Sequence, residues 1–140
     1  MNKINLLIVG GIFFILTISC SSMMKGKELA EPAVENFHAQ FNAEKYSDIY
    51  NTADEEFKKS VTEKEFVELL EAIHRKLGAV NKSDSAGWRV NTTTAGTFAS
   101  VSYNIEFRDG KGTESFVFRI TDDKALLYNY NVNSPLLITK

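Results

Sequence analysis

The sequence has very little cysteine: Cys20 is the only one among 140 residues. A single cysteine cannot form a disulfide within the chain, so a small fold stapled by disulfides is excluded. Positive charge is not in surplus either, because 16 basic residues stand against 18 acidic ones and the formal net charge is −2. Nucleic-acid binding and purely electrostatic adhesion to anionic lipid both need a concentrated basic surface, and both are therefore disfavoured.

Long apolar runs are also scarce, and the one that stands out covers residues 4–18. The run is preceded by Lys3, contains Gly10-Gly11 and is followed by the small residue Ser19. The run is shorter than the roughly 20 apolar residues that a membrane-spanning helix needs. A positive charge, a short apolar stretch and a small residue, in this order, are typical of a secretory signal peptide. We predict that residues 1–19 are such a leader.

The end of this leader, Leu16-Thr17-Ile18-Ser19-Cys20, resembles the lipobox of bacterial lipoproteins. The resemblance implies that Cys20 is acylated and becomes the new N-terminus, with membrane lipid as its partner. Two or three acyl chains would give a stable anchor, whereas one chain holds only marginally. Ser21 follows the cysteine instead of Asp, which implies sorting to the periplasmic face of the outer membrane where the host has two membranes. Ordinary secretion and an uncleaved anchor are the alternatives.

The remaining chain is long enough for one domain, since about 120 residues can enclose a single core. We predict that residues 20–27 form the lipidated cysteine and a short polar tether, and that residues 28–140 form the domain. Three helices are predicted first. The first carries an apolar stripe at helical spacing from Ala30 to Phe41, and the second covers residues 44–53. The third begins at a capping box at Thr62 and ends at Gly78. A further turn around Phe57 precedes the third helix.

After Gly78 the apolar pattern changes to period two, which predicts strands. The alternating positions are Trp88, Val90 and Thr92; Val101, Tyr103, Ile105 and Phe107; Phe116, Phe118 and Ile120; and Leu126, Tyr128, Tyr130 and Val132. Short turn sequences connect them, so we expect an antiparallel meander. Residues 136–139 are interpreted as a segment that pairs at an edge. The fold class is therefore α+β, with three N-terminal helices followed by a curved antiparallel sheet of about four strands.

This order of elements resembles the NTF2-like fold, the cone-shaped fold of ketosteroid isomerase, over residues 28–133. The resemblance is carried by residues 46–50 between the first helices, by the helix of residues 66–78 and by Tyr128-Asn129-Tyr130 at the end of the strands. More narrowly, the chain is similar to small bacterial lipoproteins of unknown function with that fold. A cystatin-like arrangement, with fewer helices before the sheet, is the alternative. An NTF2-like cone encloses a pocket, and some of its members are enzymes.

No catalytic set can be assembled from the sequence. Isomerases of this fold use a carboxylate base with Tyr and a protonated Asp, but Asp109, Asp122 and Asp123 fall in predicted turns. His38 and His74 do not have the spacing of a metal site and are interpreted as residues of helix surfaces or ends. We therefore predict no catalytic residue, no cofactor and no metal.

Aromatic residues are abundant and form the last candidate site. They either line an apolar pocket or fill the core, and packing is favoured because a small domain needs large side chains inside. The residues concerned are Tyr46, Tyr50, Trp88, Tyr103, Phe116, Phe118, Tyr128 and Tyr130. We predict a non-catalytic envelope module that binds a small apolar ligand or an envelope protein. An isomerase or dehydratase in the cone is the alternative, and a homodimer through the sheet face is a third hypothesis.

Overall fold

The structure is a computed structural model that describes residues 18–139, with side chains from residue 21 onward. In this part of the chain four helices come first: α1 (Ile18–Asn42), α2 (Tyr46–Asn51), α3 (Glu55–Ser60) and α4 (Glu63–Leu77). Four strands follow, β1 (Val80–Thr93), β2 (Gly96–Phe107), β3 (Lys111–Thr121) and β4 (Lys124–Asn133), and then the short helix α5 (Pro135–Ile138). The prediction of an α+β fold with helices before an antiparallel sheet is confirmed.

Helix α4 has the ends that the sequence predicts. The Thr62 side chain accepts a hydrogen bond from the Glu65 amide at 3.3 Å, and the Glu65 carboxylate accepts one from the Thr62 amide at 2.9 Å. This reciprocal capping box satisfies amides that the first helical turn leaves free. Gly78 follows the last residue at φ 77°, and a Cβ there would lie 2.8 Å from Cβ of Arg108. Both the left-handed backbone and the close neighbour therefore require glycine.

One more helix precedes the sheet than the three predicted. Asp54 accepts a hydrogen bond from the Glu56 amide at 2.9 Å and caps α3, which the sequence indicated only as a further turn. Asp54 also donates its own amide to the carbonyl of Leu127 at 2.9 Å, so the cap is tied to β4. The additional helix is therefore set by a local cap and by a tertiary contact together.

Helix α1 starts much earlier than the apolar stripe indicates. The stripe itself, from Ala30 to Phe41, is buried as predicted. However, residues 21–27 are helical, where the sequence predicted a polar tether, and Pro32 lies inside the helix. Pro32 has no amide hydrogen for the bond to the residue four positions earlier, so α1 lacks one hydrogen bond of its ladder at that point.

The four strands pair in chain order, β1-β2-β3-β4, and every pair is antiparallel. Helix α1 packs across all four strands. The inward side chains of β2, from Val101 to Phe107 at alternate positions, are buried as predicted, and so are Phe116 and Phe118 of β3. Four helices before a curved antiparallel sheet agree with the NTF2-like arrangement, whereas the cystatin-like alternative predicted fewer.

A β-bulge in β4 changes which side chains face the helices. Val117 pairs with Asn129 and Phe118 pairs with Leu127, so Tyr128 is an extra residue between them. Leu127 consequently joins the core at 5% exposure, and the Tyr128 ring lies 5.0 Å from the ring of Phe98 on the other face of the sheet. The prediction that Leu126 and Tyr128 continue the inward series of Tyr130 and Val132 is wrong for the first two.

The chain after the sheet is also different from the prediction. Pro135–Ile138 forms a helical turn instead of an edge segment, and Lys76 of α4 donates to the carbonyls of Leu137 and Thr139 at 3.4 and 3.1 Å. Pro135 stands at the start of this turn, where its missing amide hydrogen does no harm. None of the helices in the described part of the chain is long and apolar enough to cross a membrane.

Candidate functional site

A buried polar triad lies between α1 and the sheet. Glu114 of β3 is 2% exposed and His38 of α1 is 8% exposed. The Nε2 atom of His38 lies 2.5 Å from Oε2 of Glu114, and the Tyr130 hydroxyl donates to Oε1 of the same carboxylate at 2.6 Å. An imidazole Nε2–H can donate and a carboxylate oxygen can accept, so the two side chains are suited to a direct hydrogen bond inside the domain. The interpretation of His38 as a surface residue is therefore wrong.

The secondary structure explains why these three side chains meet. His38 follows Val34 by four residues, which places both on the inward face of α1. Glu114 precedes Phe116 by two residues on β3, so both point towards α1. Tyr130 is the partner of Phe116 on β4. The helical and strand periodicities therefore contain all three positions, although the triad itself was not among the predicted sites.

Aromatic rings pack around the triad. The ring of Phe116, which is 0% exposed, lies 5.9 Å from the ring of His38 and 5.2 Å from that of Tyr130. Phe37 lies 4.8 Å from Tyr130 on the other side. Polar groups in such surroundings are costly unless they are paired, and here both carboxylate oxygens have a partner. The arrangement therefore fixes α1 to β3 and β4.

The buried surroundings change the pKa of the Tyr130 hydroxyl. Desolvation, the nearby charge of Glu114 and the hydrogen bond to that residue raise the pKa of Tyr130 well above its usual value of 10.0. All three causes oppose formation of a second negative charge beside the carboxylate. Tyr130 therefore remains a hydrogen-bond donor far into the alkaline range.

This shift predicts how stability depends on alkaline pH. Tyrosine in the unfolded chain loses its proton near pH 10, whereas folded Tyr130 keeps it to higher pH, so its stabilising effect is complete below about pH 10 and is lost above it. We expect the difference in free energy of unfolding between the natural protein and Tyr130→Phe to shrink above pH 10, by up to about 1.4 kcal/mol per pH unit. Urea unfolding at fixed pH measures this difference. A difference that does not change with pH would contradict the assignment.

A groove of about 410 Å³ opens between α1, the end of α2 and the β3–β4 hairpin. Its walls are mainly apolar, with a few uncharged polar side chains and a charged rim. The lining residues are Leu29, Pro32, Ala33, Asn36, Phe37, Gln40, Ile49, Thr52, Phe118, Asp123, Lys124, Ala125, Leu126 and Leu127. Phe37 separates the groove from the buried triad, since its ring contacts Tyr130. The groove is thus large enough for a small molecule.

A second, larger hollow of about 640 Å³ lies between α2 and α4, and it is polar. His74 is one of its lining residues: Nδ1 lies 3.0 Å from the Tyr46 hydroxyl and 3.3 Å from Oε1 of Glu44. Glu44 has φ 58°, a left-handed conformation that is uncommon outside glycine. Burial, with the charges of Glu44 and Glu71, raises the pKa of Tyr46. His74 is in the last turn of α4, so its interpretation as a helix-end residue agrees with the structure.

An arginine and two aromatic rings occupy the outer face of the sheet. The guanidinium carbon of Arg119 lies 5.4 Å from the ring centre of Phe98 and 5.1 Å from that of Tyr128. Its Nε atom is 3.5 Å from Oδ2 of the buried Asp54. Cation–π contacts and an ion pair thus hold Arg119 between the bulge and the start of α3.

The aromatic residues singled out in the sequence do not line one cavity. Tyr46 lines the polar hollow, Phe118 lines the groove, and Phe116 and Tyr103 are buried in the core. The Tyr50 hydroxyl donates to the carbonyls of Lys58 and Val61 at 3.2 and 3.0 Å. Trp88 is 41% exposed beneath the Lys27 ammonium group, and Tyr128 and Tyr130 have the positions given above. Trp88 and Phe116 also border a smaller hollow of about 290 Å³ between β1, β2 and β3. The eight rings are therefore divided between the core, the outer face of the sheet and three separate openings.

The described residues contain no group of three or more His, Cys, Asp or Glu that is placed to hold a metal ion. The predicted leader lies almost entirely outside the described residues, and the side chain of Cys20 does too. Lipidation of Cys20 therefore stays a prediction from the sequence.

The fold and the sites together define a small α+β domain with helices on one face of an antiparallel sheet, a buried polar triad and an apolar groove. The chain belongs to the family described as "Protein of unknown function (DUF3887)", whose model matches residues 34–126. This match spans α1 from Val34 onward and the sheet as far as β4, so it includes the triad positions of α1 and β3. No curated protein matches the chain.

Proposed function

We propose that this protein is a lipid-anchored lipoprotein of the bacterial cell envelope whose domain binds a small apolar molecule without transforming it. The signal peptide pattern of residues 1–19 and the lipobox-like sequence before Cys20 support the anchor. In a host with two membranes, the periplasmic face of the outer membrane is the proposed location. The groove between α1 and the β3–β4 hairpin is the proposed binding site.

The composition of the groove is the observation that carries the proposal of binding. Its volume of about 410 Å³ falls within the usual range of small-molecule sites, and such sites combine apolar walls with a few polar groups. Phe37, Phe118 and Leu127 supply apolar wall, while Asn36 and Gln40 supply amides that can orient a ligand. An apolar molecule would gain from burial against these walls.

The groove also lacks the groups that acid–base catalysis needs. Its polar lining consists of amides and a hydroxyl, apart from Asp123 and Lys124 at the rim, and Asp123 is paired with Lys25 at 2.6 Å. The ionisable triad lies behind the ring of Phe37, and both oxygens of Glu114 are already in hydrogen bonds. A general base must reach the proton that it removes, so this arrangement favours binding over chemistry.

A substitution that fills the groove tests this proposal. Ala33→Phe places a ring in the cavity, and the affinity for the neutral apolar probe N-phenyl-1-naphthylamine should fall at least about tenfold, which corresponds to about 1.4 kcal/mol. Ala39→Phe is the matched control, because Ala39 is an exposed alanine of the same helix outside the groove. Probe fluorescence measures both affinities. Equal affinity in the two variants would show that the probe binds elsewhere and would reject the groove.

The rival hypothesis is an isomerase or dehydratase that works inside the cone. One observation favours it: the triad lies only one ring behind the groove, since Phe37 and Tyr130 are 4.8 Å apart. A ligand that displaced Phe37 would meet a tyrosine and a carboxylate. Mass spectrometry of any molecule that co-purifies from native membranes, before and after incubation with fresh protein, separates the two hypotheses. A change in its mass or isomeric form would favour the enzyme.

A further inference from the structure

The first turns of α1 contact the sheet. Gly26 lies against Val90 of β1, and a Cβ at Gly26 would be 2.9 Å from a methyl carbon of Val90. The Lys25 ammonium group lies 2.6 Å from the Asp123 carboxylate in the β3–β4 turn. The helix therefore reaches the sheet at two separate places before Leu29, and the start of α1 is a part of the domain.

Three exposed apolar side chains lie close to these contacts. Met23, Met24 and Trp88 are 44%, 47% and 41% exposed, and they are three of the six large apolar residues exposed in the described part of the chain. Lys27 follows the two methionines by four and three residues, so it shares their helical face, and its ammonium group lies 5.5 Å from the Trp88 ring centre. We name these four residues the α1–β1 patch. Single exposed apolar residues are ordinary, but three of them around the start of one helix favour an interaction surface.

The position of the patch along the chain indicates what covers it. At about 1.5 Å per residue, Met23 lies roughly 5 Å and Lys27 roughly 10 Å along the helix from position 20. The polar headgroup layer on each side of a bilayer is about 5–8 Å thick. A helix that continues without interruption from an anchor at Cys20 thus places Met23 and Met24 at the height of the headgroups, and Lys27 with the adjacent Trp88 ring at the outer edge of that layer.

We propose that the α1–β1 patch docks on the surface of the bilayer that holds the anchor, with Trp88 in the headgroup layer. This inference rests on the proposed anchor. Tryptophan and lysine are residue types that favour the membrane interface. Each combines an apolar part with a polar or charged group, and the headgroup layer accommodates both. The attraction comes from apolar burial at the patch, so it needs no net positive charge on the domain. The domain is consequently held in one orientation and does not swing on a tether.

Fluorescence of Trp88 tests the docking directly, because it is the only tryptophan in the chain. The mature lipidated protein is reconstituted into phosphatidylcholine vesicles with and without brominated acyl chains, which quench tryptophan over short distances. We expect about a twofold loss of emission with the brominated lipid if Trp88 lies within the headgroup layer. Emission that is equal in both kinds of vesicle would overturn the proposal.

Two variants make the test specific. Met23→Glu combined with Met24→Glu should abolish the quenching and leave vesicle flotation intact, because the anchor remains and the apolar contact is lost. Leu69→Glu, at an equally exposed apolar residue of α4 outside the patch, should keep the full quenching.

The outcomes distinguish this proposal from the proposed anchor. Natural protein that does not float with vesicles would contradict the anchor itself. Flotation without quenching would overturn the docking alone. Flotation without quenching, combined with protection of Trp88 from the aqueous quencher acrylamide, would mean that a second protein molecule covers the patch instead of lipid.

Discussion

Replacing Glu114 by alanine is expected to lower the free energy of unfolding by about 3 kcal/mol. The substitution removes the carboxylate and leaves His38 and the Tyr130 hydroxyl buried without a partner. Rings of Phe37 and Phe116 surround both groups, so water cannot replace the lost hydrogen bonds without disturbing the core. Urea unfolding followed by circular dichroism measures the change.

The matched control is Glu106→Ala on the neighbouring strand β2. Glu106 is exposed and pairs with Lys111 at 3.1 Å, and an exposed pair contributes at most about 1 kcal/mol. A triple replacement, His38→Leu with Glu114→Leu and Tyr130→Phe, should lose less stability than Glu114→Ala alone, because apolar side chains leave no unpaired polar group. If Glu114→Ala costs no more than Glu106→Ala, the triad does not stabilise the fold.

The positions of the triad could have been predicted from the periodicity of the sequence. Apolar periodicity identified Val34 and Phe37 of α1 and Phe116 and Phe118 of β3 as inward residues. The same spacing includes His38 and Glu114, but His38 was interpreted as a residue of a helix surface or end, and Glu114 was not considered. A histidine and a carboxylate that both fall on inward faces of adjacent elements predict a buried pair, because neither can be buried alone.

The helix ends and the strand order were predictable because local rules determine them. The capping box at Thr62, the stop at Gly78 and the turns between strands depend on residues close in sequence. The bulge at Tyr128 and the early start of α1 depend on tertiary contacts instead. Residues 21–27 have no apolar stripe, and they become helical where Gly26 meets Val90 and Lys25 meets Asp123.

The groove shows a further limit of reasoning from residue type. Eight aromatic residues were the candidates for lining a pocket, with core packing favoured. Of these eight only Phe118 lines the groove, and aliphatic residues together with Phe37 form most of its wall. Large rings in a small domain are needed for the core, and the space left over borders smaller side chains such as Ala33 and Ala125. A pocket in such a domain is therefore better sought where small residues of one helix face a hairpin.

The largest effect is expected from Cys20→Ala, which should abolish labelling of the protein with radioactive palmitate and move it from the membrane fraction to the soluble fraction. Acyl chains contribute about 0.8 kcal/mol per buried CH₂, so their loss removes far more binding energy than the α1–β1 patch can replace. Ser21→Ala is the matched control, because it changes the adjacent residue and keeps the thiol. Fractionation and labelling are measured on the same cells. A Cys20→Ala protein that is still acylated and membrane-bound would contradict the lipoprotein assignment, and so would natural protein that keeps Met1 in the soluble cell interior.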